Sequence, residues 1–444
     1  MSDQLSSNEP SQFSELSRRN FVKNATLGSA AVGLGTASFP AVLAADGAGK
    51  KKLKVGVVGL GGRGSGAVRD ILSADPDTIL WAAGDIFPDR MKKVKKFEKR
   101  YSGRVDTDGG KRHFVGFDAY QKVIDSGVDI VLLTSTPTFR PKHFAAAIAA
   151  GKHAFIEKPF ALDVPGLKSI VETAKKAQSS GQSVLTGLVW RYSPFLMELH
   201  KRIQDGEIGD VISASSSYCG GGRPNKMPDI KLKPDSMSDM EWALRYWQSY
   251  VELGGDAALE YMIHGLDRMS WAMGDAMPVR CFANGANVYP LPGANAWDSF
   301  TIRYEYADGR TADFLGRQLP RTYAASGDNI VGTKGHAIAG GRNARIIRDG
   351  KTVWQKSGGL DYVNEHKILT QHIRKGKVYN DVLGQFDNTH AMCLMGRGAA
   401  YTGQLITDKQ LMSSTDQLID TTNLNFKTPF KARQAAQPGI TKFS

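Results

Sequence analysis

From residue 53 to residue 189, short apolar runs alternate with stretches whose apolar residues recur at helical spacing. Short apolar runs bounded by turn formers suit strands buried on both faces, and the intervening pattern suits helices that bury one stripe. Strands are predicted over 54–58, 79–84, 129–135, 154–157 and 183–189, with helices near 64–73, 88–99, 118–125, 143–150 and 164–178. This order builds βαβ units, and therefore a doubly wound parallel sheet of the Rossmann type ending near Val189. The texture then changes. A helix over 194–205 precedes longer alternating runs at 211–218, 279–288 and 300–306, and Ala307-Asp308-Gly309-Arg310 joins the last of these to 311–315 as a hairpin. A helix over 256–273 interrupts them. The expected class is α/β, with a Rossmann domain over 51–190 and a C-terminal α+β domain over 191–444 carrying an open, largely antiparallel sheet.

The first fifty residues do not fit this scheme. Residues 17–23 read Ser-Arg-Arg-Asn-Phe-Val-Lys, followed over 25–45 by a weakly apolar, Gly- and Ala-rich run without an acid. This resembles a twin-arginine export signal with cleavage after Ala44, so residues 1–50 are expected to be signal and linker. The implied partner is the twin-arginine machinery and the implied location is the periplasm or another exported site. That route carries folded proteins, so a cofactor would be loaded before export and held tightly.

Composition adds little to the picture. A 444-residue chain with 41% hydrophobic and 23% charged residues suits two soluble domains. The net charge of +13 is carried largely by lysines at 50–54 and 92–99, which read as a solvated basic face rather than a nucleic-acid surface. Cys219, Cys281 and Cys393 are too far apart for a disulfide framework or a metal motif and are expected to be buried.

The strongest chemical signal follows the first strand, where Gly59-Leu60-Gly61-Gly62-Arg63-Gly64 opens a helix. Gly59 permits the tight turn, Gly61 admits a pyrophosphate to the backbone, and Gly64 lets the helix pack on the strand. Asp85 ends the next strand, where a carboxylate can bind a ribose 2'-hydroxyl. It favours NAD, with NADP possible because Arg63 inside the loop and Arg90 beyond can offset the repulsion of a 2'-phosphate. Thr134, Pro137 and His143 belong to the end of the strand at 129–135 and the turn and helix start after it, and Glu157-Lys158-Pro159 ends the strand at 154–157, at the cofactor edge of such a sheet.

With these residues the chain resembles the glucose-fructose oxidoreductase and inositol dehydrogenase (Gfo/Idh/MocA) family, whose E-K-P motif is its signature. Trp190-Arg191-Tyr192 is similar to the family's segment at the domain junction. Gly254-Gly255-Asp256 with Glu260, His264 and Asp267 is similar to its second-domain helix, and residues 397–403 to its late helix. The resemblance implies that Gly59, Gly61, Arg63, Gly64, Asp85, Thr134, Pro137, His143, Glu157, Lys158 and Arg191 line the cofactor. It further implies that Lys158, Glu260 and His264 move the proton of a sugar or polyol hydroxyl, and that the protein is a homo-oligomer.

From spacing alone, Glu260 and His264 are four apart on a predicted helix and share a face, where a carboxylate could fix the imidazole tautomer. Glu260 stands where the family more often has aspartate. Inert pairing remains an alternative, and no metal is expected. The aromatics Trp242, Tyr246, Trp247 and Tyr250 with Arg245 read as core or as a stacking surface for a sugar ring, and Tyr218 before Gly220-Gly221-Gly222 as part of a loop over the site. Three functions fit: net oxidation of a hydroxyl, redox-neutral cleavage, elimination or epimerisation through transient oxidation, and sugar or NAD sensing without catalysis.

Overall fold

The computed structural model describes residues 51–222 and 230–444, so the export segment expected over 1–50 lies outside the described residues. The first sheet contains β1 (Leu53–Val58), β2 (Thr78–Asp85), β3 (His113–Val115), β4 (Ile130–Leu133), β5 (His153–Ile156) and β6 (Val184–Thr186). They lie in the order β3-β2-β1-β4-β5-β6 with every pair parallel. All four residues of β4 are buried, and helices cover both faces: α1 (Gly62–Ala74), α2 (Val94–Arg100), α3 (Ala119–Asp125), α4 (Arg140–Ala149) and α5 (Val164–Ser179). Strand order reverses between β1 and β4, which opens a crevice beyond their carboxyl ends. In α2 only Val94 and Phe97 are buried, so most of the basic run faces outward as expected, with Lys93 drawn inward.

The chain then passes through α6 (Pro194–Gln204) into the second sheet: β7 (Val211–Gly220), β8 (Arg280–Ala286), β9 (Ser299–Glu305), β10 (Thr311–Gln318), β11 (Ala325–Gly332), β12 (Gly335–Gly340), β13 (Asn343–Arg348), β14 (Lys351–Ser357) and the short β15 (Ile406–Thr407). Their order is β14-β13-β12-β11-β7-β10-β9-β8-β15. Only β7 and β10 run parallel; the other neighbours are antiparallel, so the sheet is mixed. The β9–β10 hairpin forms at the predicted turn, closed by Tyr306 N–H to the Arg310 carbonyl, with Gly309 at φ +84°. Before the hairpin come α7 (Asp239–Arg245) and α8 (Ile263–Ala272); after the sheet come α9 (Tyr362–Arg374), α10 (Asp387–Thr402) and α11 (Asp408–Ser413). Helices α8 and α10 pack on the sheet over a core that includes Phe300, Phe314, Tyr304 and Ile302, all at most 1% exposed. Each such side chain contributes about 1.5–3 kcal/mol on burial.

The chain does not stay on one side of residue 190. Helix α9 packs on α1, and Arg374 at its end pairs with Asp75 (Nε–Oδ2 2.5 Å). Val184 in β6 donates its N–H to the Tyr379 carbonyl at 2.7 Å, and Asp381 accepts from Thr186 and from the Tyr192 hydroxyl. The first half is thus completed by residues 362–381. A final segment returns as well: Phe426 stacks on Phe87 (5.5 Å) and meets Phe117 edge-on (4.9 Å), while Lys142 holds the carbonyls of Thr421 and Thr422. No helix among the described residues is long and apolar enough to cross a membrane.

Candidate active site

Strand β1 delivers the chain into the glycine turn, and α1 begins there without a side-chain cap or an acid in its first turn. The leading N–H groups therefore have no protein partner of the usual capping kind and suit an anion. Gly59 sits at φ +93°, and a Cβ on Gly64 would lie 1.9 Å from the Gly59 carbonyl oxygen. A Cβ on Gly61 or Gly62 would meet nothing within 4 Å, so that stretch of backbone is open to a bound group. These features fit a diphosphate cradle.

Three side chains hold the turn. Asp85 accepts from Leu60 N–H (2.7 Å) and Phe87 N–H (2.9 Å), so it anchors the glycine turn. Burial raises its carboxyl above the usual range, opposed by those backbone donors. The Thr134 hydroxyl lies 3.0 Å from the Val58 carbonyl and 2.7 Å from that of Gly59. Lys93, absent from the sequence reading, donates to the carbonyls of Leu60 (2.6 Å) and Gly61 (3.0 Å). A lysine in a basic helix gives no sequence signal that it turns inward.

Arg63 lies against Asp70 (2.5 Å), Glu157 (2.9 Å) and the ring of Tyr362 (4.5 Å), so it braces α1 against the end of β5 and against α9. Glu157 is thereby the ion-pair partner of Arg63; from Lys158 it accepts the backbone N–H (3.2 Å) and not the ammonium. Pro137 opens the turn after β4, and Ser135 Oγ lies 3.2 Å from His143 Nδ1. His143 is stacked between Tyr120 and Phe139, and burial lowers its imidazole to about 3, which keeps it neutral.

Arg191, expected near the cofactor, is paired within the protein. Its guanidinium is buried between Asp267 (2.9 Å) and Asp275 (2.5 Å), where it ties the junction turn to α8. With both carboxylates bound it is a buried structural clamp, and the apolar faces of Trp271 and Phe386 enclose it.

Lys158, after β5, reaches across to the second half. Its Nζ donates to the Glu260 backbone carbonyl and lies 3.5 Å from Glu260 Oε1. Glu260 belongs to a π-helical turn, Ala258–Met262, that leads into α8. That turn breaks the regular spacing, and the carboxylate engages Lys158 and Gln248 Nε2 (3.2 Å) rather than His264. The expected Glu260–His264 pairing is therefore not made. Burial raises the Glu260 carboxyl, against the pull of Lys158 and Arg140, and burial lowers the His264 imidazole well below its ordinary value, helped by Lys158 and Arg268. Glu260 Oε2 and His264 Nδ1 are buried and have no hydrogen-bond partner. A neutral imidazole nitrogen and a carboxylate oxygen left open beside a lysine can exchange protons with a bound hydroxyl.

Tyr218 on β7 faces His264 with ring centres 6.0 Å apart. Trp242 and Tyr250 are core: they pack with Phe87, Phe139 and Leu424, while Tyr246 and Trp247 are half-buried at its margin. Arg245 lies over the Phe87 ring at 4.1 Å. The three cysteines are free and buried, and among the described residues no group of three or more His, Cys, Asp or Glu side chains could hold a metal.

A parallel sheet with this strand order, a glycine cradle and a lysine at the domain cleft define a dinucleotide-binding oxidoreductase architecture. Residues 53–183 match the Gfo/Idh/MocA oxidoreductase family model, NAD-binding Rossmann fold, and residues 196–338 match the family's C-terminal domain; the chain belongs to this family. It is 25% identical over 239 residues to myo-inositol 2-dehydrogenase of Thermotoga maritima, covering 53% of this chain and 58% of that protein. It is 26% identical over 225 residues to a glycosyl hydrolase family 109 protein of Streptomyces coelicolor, covering 50% of this chain and 43% of that one. The chain thus spans about half the length of the curated relatives it matches. Among solved structures, aldose-aldose oxidoreductase of Caulobacter crescentus superposes with TM-score 0.63 at 18% identity, covering 80% of this chain and all of that one. The WlbA dehydrogenase of Bordetella pertussis, in complex with NADH and UDP-GlcNAcA, gives TM-score 0.61 at 17% identity, covering 80% and 99%.

Proposed function

We propose that the protein oxidises a hydroxyl of a sugar or polyol, passing hydride to NAD. The observation that carries this reading is that Lys158, at the end of β5, meets Glu260 and bears electrostatically on His264 in the second half. When bound, NAD supplies the hydride acceptor. Lys158 donates a hydrogen bond to the reacting oxygen and stabilises the alkoxide character that develops there. His264, held neutral, accepts the hydroxyl proton, and Glu260 keeps Lys158 in place. Asp85 favours NAD over NADP, since its carboxylate repels a 2'-phosphate. The inositol dehydrogenase relatives support a polyol or sugar as substrate.

The twin-arginine pattern at residues 17–23 supports export with the cofactor already seated. Likeness to a glycosyl hydrolase family 109 protein supports a second reading, in which hydride is taken and returned within one turnover and no NADH accumulates. The test is incubation of the purified protein with NAD and a panel of inositols, aldoses and glycosides, following NADH absorbance and substrate loss together. NADH formed in step with substrate loss supports net oxidation; substrate loss without NADH supports the second reading. Absence of both, with NAD bound, overturns both. Lys158→Met is expected to keep NAD affinity and lose about 10²–10⁴-fold in turnover.

A further inference from the structure

We propose that Gln248 is a positioning residue of this site, fixing the Glu260 carboxylate so that one oxygen holds Lys158 and the other stays open to substrate. The proposal rests on the catalytic reading above and adds a residue that neither the sequence motifs nor the family resemblance singled out. Gln248 lies in the turn Trp247–Ser249 that follows α7. The surrounding segment is anchored by buried Trp242, Leu244, Tyr250 and Leu253. The aromatic stretch therefore serves as a rigid base that presents a polar side chain to the cleft.

Two donors converge on one oxygen. Gln248 Nε2 lies 3.2 Å from Glu260 Oε1 and Lys158 Nζ lies 3.5 Å from the same atom, while Oε2 is buried without a partner. A carboxylate held on one oxygen by a hydrogen bond from Gln248 and an ion pair with Lys158 loses rotation about its last bond, so its remaining lone pairs stay aimed in one direction. Glu260 sits in the π-helical turn, where the backbone ladder is looser than in a regular helix, and its longer side chain has one more torsion than aspartate. The side-chain amide supplies the restraint that this longer reach requires. The charged and titratable groups bearing on Glu260 are Lys158, Arg140 and Glu157, with Tyr218 on β7 close by. Lys158 is the one that shares Oε1 with Gln248.

The test compares wild type with Gln248→Leu and Gln248→Glu, each loaded with NAD. Gln248→Leu removes a donor that favours the ionised carboxylate, and Gln248→Glu adds a like charge. Both are expected to lower kcat about tenfold and to move the acid limb of its pH profile upward, Gln248→Glu further, with NAD affinity and thermal unfolding close to wild type. A purely structural role would lower stability and leave the acid limb in place. Infrared difference titration, with Glu260→Gln as the reference that identifies the band, reads the same carboxyl without turnover. An unmoved Glu260 band in either folded variant overturns the proposal even if no substrate is found. A moved band with no turnover on any sugar or polyol leaves the positioning intact and refutes the catalytic reading instead. Should Gln248→Leu fail to fold, Gln248→Glu, which keeps size and shape, decides alone.

Discussion

Gly64 illustrates how one missing carbon sets a cofactor site. A methyl there would sit 1.9 Å from a backbone oxygen and 2.6 Å from the Thr134 hydroxyl, and the backbone oxygen cannot swing aside. Gly64→Ala is expected to push α1 off β1 and weaken NAD binding about 10- to 100-fold by calorimetry, the equivalent of about 1–3 kcal/mol of overpacking. Asp381 makes a different residue-scale prediction. Its buried carboxyl is raised from 3.8 to about 7, mainly by burial, so the folded chain holds a proton that the unfolded chain releases. That contribution to stability is present below about pH 4 and fades as pH rises toward 7. Asp381→Asn keeps an amide in the same place without the charge. In urea unfolding its stability relative to wild type is expected to improve by about 1–3 kcal/mol between pH 5 and pH 8. An unchanged difference would show that Asp381 ionises freely in the fold.

Elements reveal where sequence reasoning carries and where it stops. Arg191 was legible as a junction residue, but its ion pairs were not, because its partners Asp267 and Asp275 lie far along the chain. Arg191→Leu strands the buried Asp267 carboxylate and the half-buried Asp275, and is expected to cost about 3–5 kcal/mol in unfolding experiments. The β1–α1 turn was readable since strand, glycines and helix are contiguous, and Gly59 and Gly64 answer local steric demands. Strand β3 was not, having only three residues. The meander β11–β14 escaped because β11 to β13 are rich in Gly, Ala, Asn and Arg, and β14 is almost wholly exposed and shows no buried face. Helix α10 is buried nearly all round, with Met392, Cys393, Met395, His390 and Arg397 inside, and so shows no apolar stripe to detect. The face shared by Glu260 and His264 was inferred from regular α-spacing, and the π-helical turn at Ala258–Met262 is what defeats that inference.

At the scale of the whole molecule, the decisive feature is that the first sheet does not finish itself. Helix α9 seals α1, Asp381 anchors β6, and fully buried Glu365 and His366 sit in that seam with no hydrogen-bond partner. A fragment of residues 51–190 is therefore expected to bind NAD at least tenfold more weakly than the whole chain and to unfold without a cooperative transition, as read by calorimetry and near-ultraviolet circular dichroism. Adding residues 362–381 through a flexible Gly-Ser linker is expected to restore part of both. Cooperative unfolding of the bare fragment with full affinity would refute the dependence. In the living cell, the ribosome makes the nucleotide-gripping strands first and their missing wall hundreds of residues later. An emerging nascent chain accordingly carries an unfinished pocket until residues 362–381 have followed.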